Sequence, residues 1–253
     1  MRFYISIFAL CLLASCNEEV ADPVDLASDQ DYFPVELNRP VIYAQDSIVL
    51  VGLSRGVRYD TARSQVREQL VESFTTGDGQ TVYRGERWQR TDGSAEWQFV
   101  QTYTLQKAET AAFRTEDNLT FTKLIFPITP NRSWDGNVAF DVTQDIPVGG
   151  EFLDVYNGWN YRYAPTMLDT TLNGNALTET QLVIQAEVNN AIEYRQAFER
   201  YAPGIGLVER FLDARHTQCR NCCNADLQAC SLLPWDEKAE KGYIIHQTLL
   251  SFE

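Results

Sequence analysis

The stretch Gln65-Val-Arg-Glu-Gln-Leu-Val-Glu-Ser-Phe-Thr-Thr76, Gly77-Asp78-Gly79, Gln80-Thr-Val-Tyr-Arg-Gly-Glu-Arg-Trp-Gln89 decides the fold class. Two runs rich in β-branched and aromatic residues flank a Gly-Asp-Gly turn, and glycine supplies the positive φ that a tight hairpin needs. Along the first run Val66, Leu70 and Phe74 share a face with Glu68 and Glu72; along the second Val82 and Trp88 share one with Arg84 and Glu86. A face that mixes large apolar and charged side chains fits two arrangements. One is a long sheet whose outer part is solvated, with cross-strand ion pairs worth roughly a few tenths of a kcal/mol each. The other is a half-open barrel whose polar interior receives a ligand. The pattern favours the first.

Strand-like runs continue on both sides. Val41–Val51 precedes the hairpin. Asp92-Gly93 turns the chain into Ser94–Leu105, where Trp97, Phe99, Tyr103 and Leu105 fall on one face interrupted by Gln101. Ala108–Thr115 and Leu119–Phe126 follow around Glu116-Asp117-Asn118. Links this short favour an antiparallel meander over helical crossovers. Pro127, Pro130, Pro147, Gly136, Gly149 and Gly150 break the middle of the chain. Strands resume at Gly158–Tyr163, Glu179–Val188, Ala191–Tyr201, Ile205–Ala214 and Gly242–Phe252. Asn189–Arg200 also suits a helix, being rich in Ala, Glu and Gln. No helix of several turns is expected. The predicted architecture is one all-β domain over residues 32–253, an antiparallel meander forming a strongly curved sheet or open barrel.

The N-terminus reads as an export signal. One positive charge, Arg2, precedes an apolar run of 11 residues, Phe3–Leu13. That run is shorter than the roughly 20 residues a membrane-spanning helix needs, and suits a secretory signal peptide. Leu13-Ala14-Ser15-Cys16 resembles a bacterial lipobox, which implies cleavage after residue 15 and lipid on Cys16. Several acyl chains there would hold the protein to a membrane, since one chain alone anchors weakly. Residues 16–31 hold six acidic residues and no basic one, which predicts an extended, flexible tether. Within it, Asn17-Glu18-Glu19 is similar to the acidic export tag of surface lipoproteins in Bacteroidetes.

The 253-residue chain carries a formal charge of −14. Removing residues 1–15 removes Arg2 alone among the charged residues, leaving 20 basic against 35 acidic. Such a chain is repelled by phosphate backbones, so nucleic acid is not an expected partner. The expected partners are a membrane, through the N-terminal lipid, and a glycan or an envelope protein. Of six cysteines, Cys11 leaves with the signal peptide and Cys16 takes the lipid. Cys219, Cys222, Cys223 and Cys230 remain, in an exported and oxidising place that favours disulfides. Bridging the adjacent Cys222 and Cys223 would strain the peptide between them. That leaves 219–222 with 223–230, or 219–223 with 222–230, clipping a loop at residues 216–235. Zinc on these thiolates, with His216 as a further candidate ligand, is the alternative.

Three short segments carry a resemblance. Asp31-Tyr32-Phe33-Pro34-Val35, Phe126-Pro127-Ile128 with Ser133-Trp134-Asp135-Gly136-Asn137, and Tyr201-Ala202-Pro203-Gly204-Ile205-Gly206-Leu207-Val208 are similar to a group of uncharacterised Bacteroidetes outer-membrane or surface lipoproteins. That group has a "YFP" opening before its strands and a "GIGLV" turn before its last hairpins. The chain departs from it in Glu209-Arg210, where the group has a basic-aromatic sequence, and in the cysteine cluster. The resemblance implies an exported all-β domain and supplies no catalytic residue.

Chemistry-bearing constellations are sparse. His216 and His246 are the two histidines, and no nucleophile-elbow motif is present. Carboxylate pairs such as Glu68/Glu72 or Glu86/Glu96 arise readily by chance among 35 acidic residues. Aromatics are the better binding signal. Trp134, in an irregular segment, Trp235, beside the cysteine loop, and Trp159 are the candidate binding residues. No catalytic residue, metal or cofactor is assigned. The expected role is a non-enzymatic binding or assembly component anchored at the outer membrane, with a glycan-acting envelope enzyme as the alternative.

Overall fold

The computed structural model describes residues 26–54, 56–91 and 96–253. The signal peptide, Cys16, the Asn17-Glu18-Glu19 tag and the Asp92-Gly93 turn lie outside the described residues.

A helical turn, α1 (Leu26–Gln30), leads into six strands: β1 (Val41–Gly52), β2 (Val57–Thr75), β3 (Thr81–Thr91), β4 (Gln98–Lys107), β5 (Ala111–Glu116) and β6 (Leu119–Ile125). The middle of the chain contributes short strands: β7 (Ser133–Trp134), β8 (Asp145–Val148), β9 (Glu151–Asp154), β10 (Tyr161–Tyr163) and β11 (Leu168–Leu172). Long strands return as β12 (Asn175–Asn189), β13 (Glu193–Ala202) and β14 (Gly206–His216). Three helical turns follow, α2 (Arg220–Cys223), α3 (Leu227–Ser231) and α4 (Trp235–Lys238), and β15 (Lys241–Phe252) ends the described chain. The ambiguous segment around residues 189–200 is therefore strand. Its alternation of buried Arg195, Ala197, Glu199 and Tyr201 with more exposed residues has the period of two that a strand imposes. Among the described residues no helix is long and apolar enough to cross a membrane.

Hydrogen-bonded neighbours run β6-β5-β4-β3-β2-β1-β15-β14-β13-β12-β10-β7. Two antiparallel meanders, β1–β6 and β12–β15, are thus joined where β1 pairs with β15. The sheet curls until its ends meet. Thr122 of β6 donates its N–H to Gly136 O at 2.8 Å, and Trp134 of β7 donates Nε1–H to Thr122 O at 2.8 Å. Tyr163 donates its hydroxyl to Ile125 O at 2.7 Å across the same seam. The result is a nearly closed antiparallel barrel, the fold class read from the strand pattern. The hairpin β8–β9 forms a separate sheet.

The main hydrophobic core lies at this seam. Leu124, Phe126, Tyr161, Tyr163, Val183 and Tyr201 are buried there with Tyr32 and Phe33. Burying an aromatic of this size is worth roughly 1.5–3 kcal/mol, so these side chains drive the closure. Two features differ from the sequence expectation. Strand β2 starts eight residues earlier, at Val57, because residues 57–63 pair with β1 while most of their side chains stay exposed, and so show no apolar alternation. Residues 26–31, expected as the end of a free tether, are docked on the barrel instead. Asp29 Oδ2 accepts the N–H of Ile128 at 2.7 Å, and Asp31 O accepts that of Gly204 at 2.9 Å.

Candidate functional site

The charged residues of the mixed faces divide between the two sides of the sheet. Arg84 pairs with Glu72 and Glu86 on the outside, as a solvated sheet would have it. Glu68, by contrast, points inward and is 6% exposed. The barrel interior is therefore polar, which corrects the preference for a sheet with only a solvated charged face.

An ionic network crosses this interior. Arg87 of β3 donates to Glu68 of β2 at 2.7 and 2.9 Å. Arg114 of β5 donates to both oxygens of Glu68 at 2.8 Å, and through Nε to Glu116 at 3.0 Å. Arg87 also reaches Glu116 at 3.1 Å. From β14, Arg210 lies 3.7 Å from Glu116 and donates to Glu199 at 2.9 Å. Lys123 of β6 and the Tyr201 hydroxyl complete the set on Glu199, at 2.9 and 2.6 Å. Four cations thus meet three carboxylates. Burial pushes the Glu68 carboxyl up, but Arg114 and Arg87 more than offset it and hold it at about 2. Glu199 is held at about 2 in the same way, against burial, by Lys123 and Arg210. Glu116 lies well below the usual carboxylate range, its burial outweighed by Arg114 and Arg210. These acids and bases are committed to one another, although burial holds the Lys123 ammonium below its usual range despite the Glu199 carboxylate beside it.

A cavity lies on each side of the network. The smaller, about 80 Å³ measured as room for the centre of a water molecule, is lined by Phe33, Tyr43, Leu70, Tyr103, Leu105 and Leu207 beside the charged groups. The larger, about 160 Å³ on the same measure, is walled by Phe121, Tyr156, Trp159, Tyr243, Gln185 and Gln247. Lys123 and Arg210 line both. The Nε2 groups of Gln185 and Gln247 are buried without a hydrogen-bond partner. Native interiors rarely leave a buried donor unpaired.

The predicted site residues separate in space. Trp159 stands on the wall of the larger cavity, with Nε1–H donated to Val155 O at 2.7 Å and its ring 5.1 Å from that of Tyr156. Trp134 packs into the seam, its ring 4.8 Å from Tyr163 and 5.7 Å from Tyr161, so the indole closes the barrel. Trp235 ties the cysteine loop to the sheet, donating to Asn189 Oδ1 at 3.1 Å and packing on Tyr194. His246 is on the outer face, 2.9 Å from Glu209, a carboxylate that Arg200 also holds. His216 lines a shallow groove with Glu240 and Lys241. Glu240 is occupied by the backbone N–H groups of Gln218 and Asn221 at 2.6 and 2.8 Å.

The cysteine pairing is neither of the two expected. Cys219 bonds Cys230, with Cα atoms 5.8 Å apart, while Cys222 and Cys223 are free thiols. Cys219 caps the helical turn α2, and the chain reverses at Asn224 and Ala225, which have φ of 50° and 66°. That reversal brings α3 back so that Cys230 meets Cys219, both 0% exposed. Cys222 Sγ lies 3.6 Å from Cys230 Sγ and 2.9 Å from Cys223 Sγ. The sulfurs of Cys222, Cys223 and Cys230 are within 4.8 Å of one another, but Cys230 is bonded and offers no thiolate to a metal.

The sequence reading did not find Gln185, Gln247, Lys123 or Arg210. A signal for Gln247 exists in the row Tyr243, Ile245, Gln247, Leu249, where one amide interrupts an otherwise apolar face.

No protein-family model matches the chain, and no curated protein does. Among solved structures it is similar to a "putative lipoprotein" from Parabacteroides distasonis ATCC 8503, at 9% identity and a TM-score of 0.41, over 88% of this chain and 98% of that one. A likeness that low bears on neither fold nor function.

Proposed function

We propose that this chain is a lipid-anchored component of the cell envelope, tethered through Cys16 at the outer membrane, whose barrel binds a ligand without transforming it. The anchor rests on Leu13-Ala14-Ser15-Cys16 following an apolar run of signal-peptide length. The binding role rests on one observation above all. A hollow barrel keeps its ionisable groups paired with each other, while the larger cavity is walled by Phe121, Tyr156, Trp159 and Tyr243 with the neutral side chains of Gln185 and Gln247 among them. An enzyme needs titratable groups free to act, whereas a binding pocket needs a few convergent polar groups on an apolar wall. A glycan or an envelope protein is the partner this role implies.

Expression of the full-length chain in a Gram-negative host fed alkyne-palmitate tests the anchor. The wild type is expected to take up the label and to sediment with outer membranes; Cys16→Ala is expected to be unlabelled and soluble. Unlabelled wild-type protein in the soluble fraction would overturn the anchor. Labelled protein sedimenting with inner membranes would overturn the outer-membrane placement.

A further inference from the structure

A buried bond and two free thiols meet in the cysteine loop. Cys219 and Cys230, joined by the disulfide, are each 0% exposed. A thiol from outside has no surface of that bond to attack. Cys222 of α2 is exposed and free. Its Sγ nevertheless lies 3.6 Å from Cys230 Sγ, close to the roughly 3–3.5 Å between reacting atoms in a near-attack arrangement. Cys223 is free as well, with its Sγ 2.9 Å from that of Cys222.

The backbone holds this arrangement. Glu240 accepts the N–H of Asn221, the residue before Cys222, at 2.8 Å. Cys219 O accepts the N–H groups of Cys223 and Ala225 at 3.3 and 2.8 Å. Asp226 caps α3, accepting from Gln228 and Ala229 at 3.0 and 3.1 Å, and α3 returns Cys230 to α2. The Cys222 thiol is thus presented to the bond by pinned backbone on either side, and it connects that bond to solvent.

We propose that the loop is a thiol–disulfide exchange site whose reactant is the chain's own buried bond. The Cys222 thiolate attacks Cys230 Sγ. The 222–230 bond forms as the 219–230 bond breaks, and Cys219 leaves with the electron pair as a thiolate. Cys219 then takes up a proton in place of the one that Cys222 gave to solvent. One disulfide and two thiols stand on each side of the step, so no oxidant or reductant is consumed. The loop has two covalent forms, one closed from 219 to 230 and one closed from 222 to 230 with its first turn released. Partial desolvation and the neighbouring Cys223 sulfur push the Cys222 thiol up to about 11, and Glu240 adds to this. The thiolate is the attacking species, so exchange is slow at neutral pH. The site is separate from the barrel cavities, and its test leaves the binding role untouched.

The test uses the full-length protein purified from membranes in detergent without reductant. It is held at pH 7, 8 or 9, quenched in acid, alkylated with N-ethylmaleimide and digested with trypsin, again without reductant. Cleavage after Arg215, Arg220 and Lys238 leaves Cys219 alone in peptide 216–220 and the other three cysteines in peptide 221–238. The 219–230 bond joins these two peptides. Exchange frees 216–220 with maleimide on Cys219 while Cys230 stays bonded, whereas reduction labels both. The wild type is expected to yield labelled 216–220, at a rate rising about tenfold per pH unit. Cys222→Ser should yield it at least about tenfold more slowly, having lost the thiol in contact with the bond. Cys223→Ser should still yield it. Wild type that gives no labelled 216–220 at pH 9 would overturn the exchange site. Cys222 and Cys223 that take up no maleimide in the protein as purified would overturn it too. Equal rates in wild type and Cys222→Ser would overturn Cys222 as the attacking thiol.

Discussion

Gly85 of β3 lies directly across from Tyr103 of β4, and the tyrosine ring covers it. A Cβ built at Gly85 would sit 2.2 Å from Tyr103 Cζ. Tyr103 is itself buried, with the Arg114 guanidinium 4.0 Å from its ring centre. Glycine is required here by space, since its φ is not in the left-handed region. The position therefore supports the ionic network indirectly: it lets a ring lie flat across the sheet, and Arg114 rests on that ring to reach Glu68. Gly85→Ala must push the ring toward the arginine. Overpacking of a well-filled interior costs about 1–3 kcal/mol, and the clash here is severe, so we expect a loss near the top of that range. A urea midpoint for Gly85→Ala equal to the wild type would show that Tyr103 has room the geometry denies it. The same economy of space explains the cysteines. The pairing is not legible in the sequence because the left-handed residues Asn224 and Ala225, which decide which sulfurs meet, carry no glycine to signal them.

At the scale of elements, two of the three segments that carry the family resemblance touch each other. Tyr32-Phe33-Pro34 lies against the turn before β14: Pro34 Cδ is 3.1 Å from where a Cβ on Gly206 would be, and Gly206 has φ of +90°. Tyr32 donates its hydroxyl to Glu179 O at 2.6 Å, and Asn38 donates its N–H to Leu70 O at 2.8 Å. The segment after the tether is thus a strap that spans the end of the barrel from β2 to β12, with Phe33 on the wall of the smaller cavity. Truncating a buried phenylalanine costs roughly 3–5 kcal/mol. We expect Phe33→Ala to fall in that range by denaturant unfolding, whereas a segment that served only as tether would tolerate the change within about 0.5 kcal/mol. The strands themselves were legible from turns and alternation, to within a few residues for most of them. What was not legible is which face curls inward. Glu68, Arg114, Lys123, Glu199 and Arg210 lie on five separate strands, far apart in the chain. Only closure of the sheet brings them together, and a sequence does not display closure.

For the molecule as a whole, charge is arranged in opposition. The chain is acidic, at −14, yet its interior holds four cations against three carboxylates. Both facts make acid the condition to examine. Glu68 and Glu199 sit at about 2 in the folded barrel, against about 4.3 for an unfolded glutamate. A carboxyl whose folded value is depressed contributes stability that is present above the unfolded value and lost as pH falls toward the folded one. Each of these two groups links on the order of 3 kcal/mol to that window, and Glu116 acts in the same direction. The contribution of these carboxyls should therefore be level from pH 7 down to about 5 and fall steeply between about 4.5 and 2. Loss of the acidic surface charge works the opposite way, because protonating exposed carboxylates relieves self-repulsion. The two effects separate in Glu68→Gln. This variant leaves Arg87 and Arg114 facing a neutral amide, and breaking one partner of a buried pair costs about 3–5 kcal/mol at pH 7. With one titrating group gone, its urea midpoint should fall less steeply below pH 4.5 than that of the wild type. Urea titrations of both proteins at pH 7, 5, 4 and 3 measure the difference. Parallel curves for the two would mean that acid acts through the surface, and that the interior network is not what holds the barrel together.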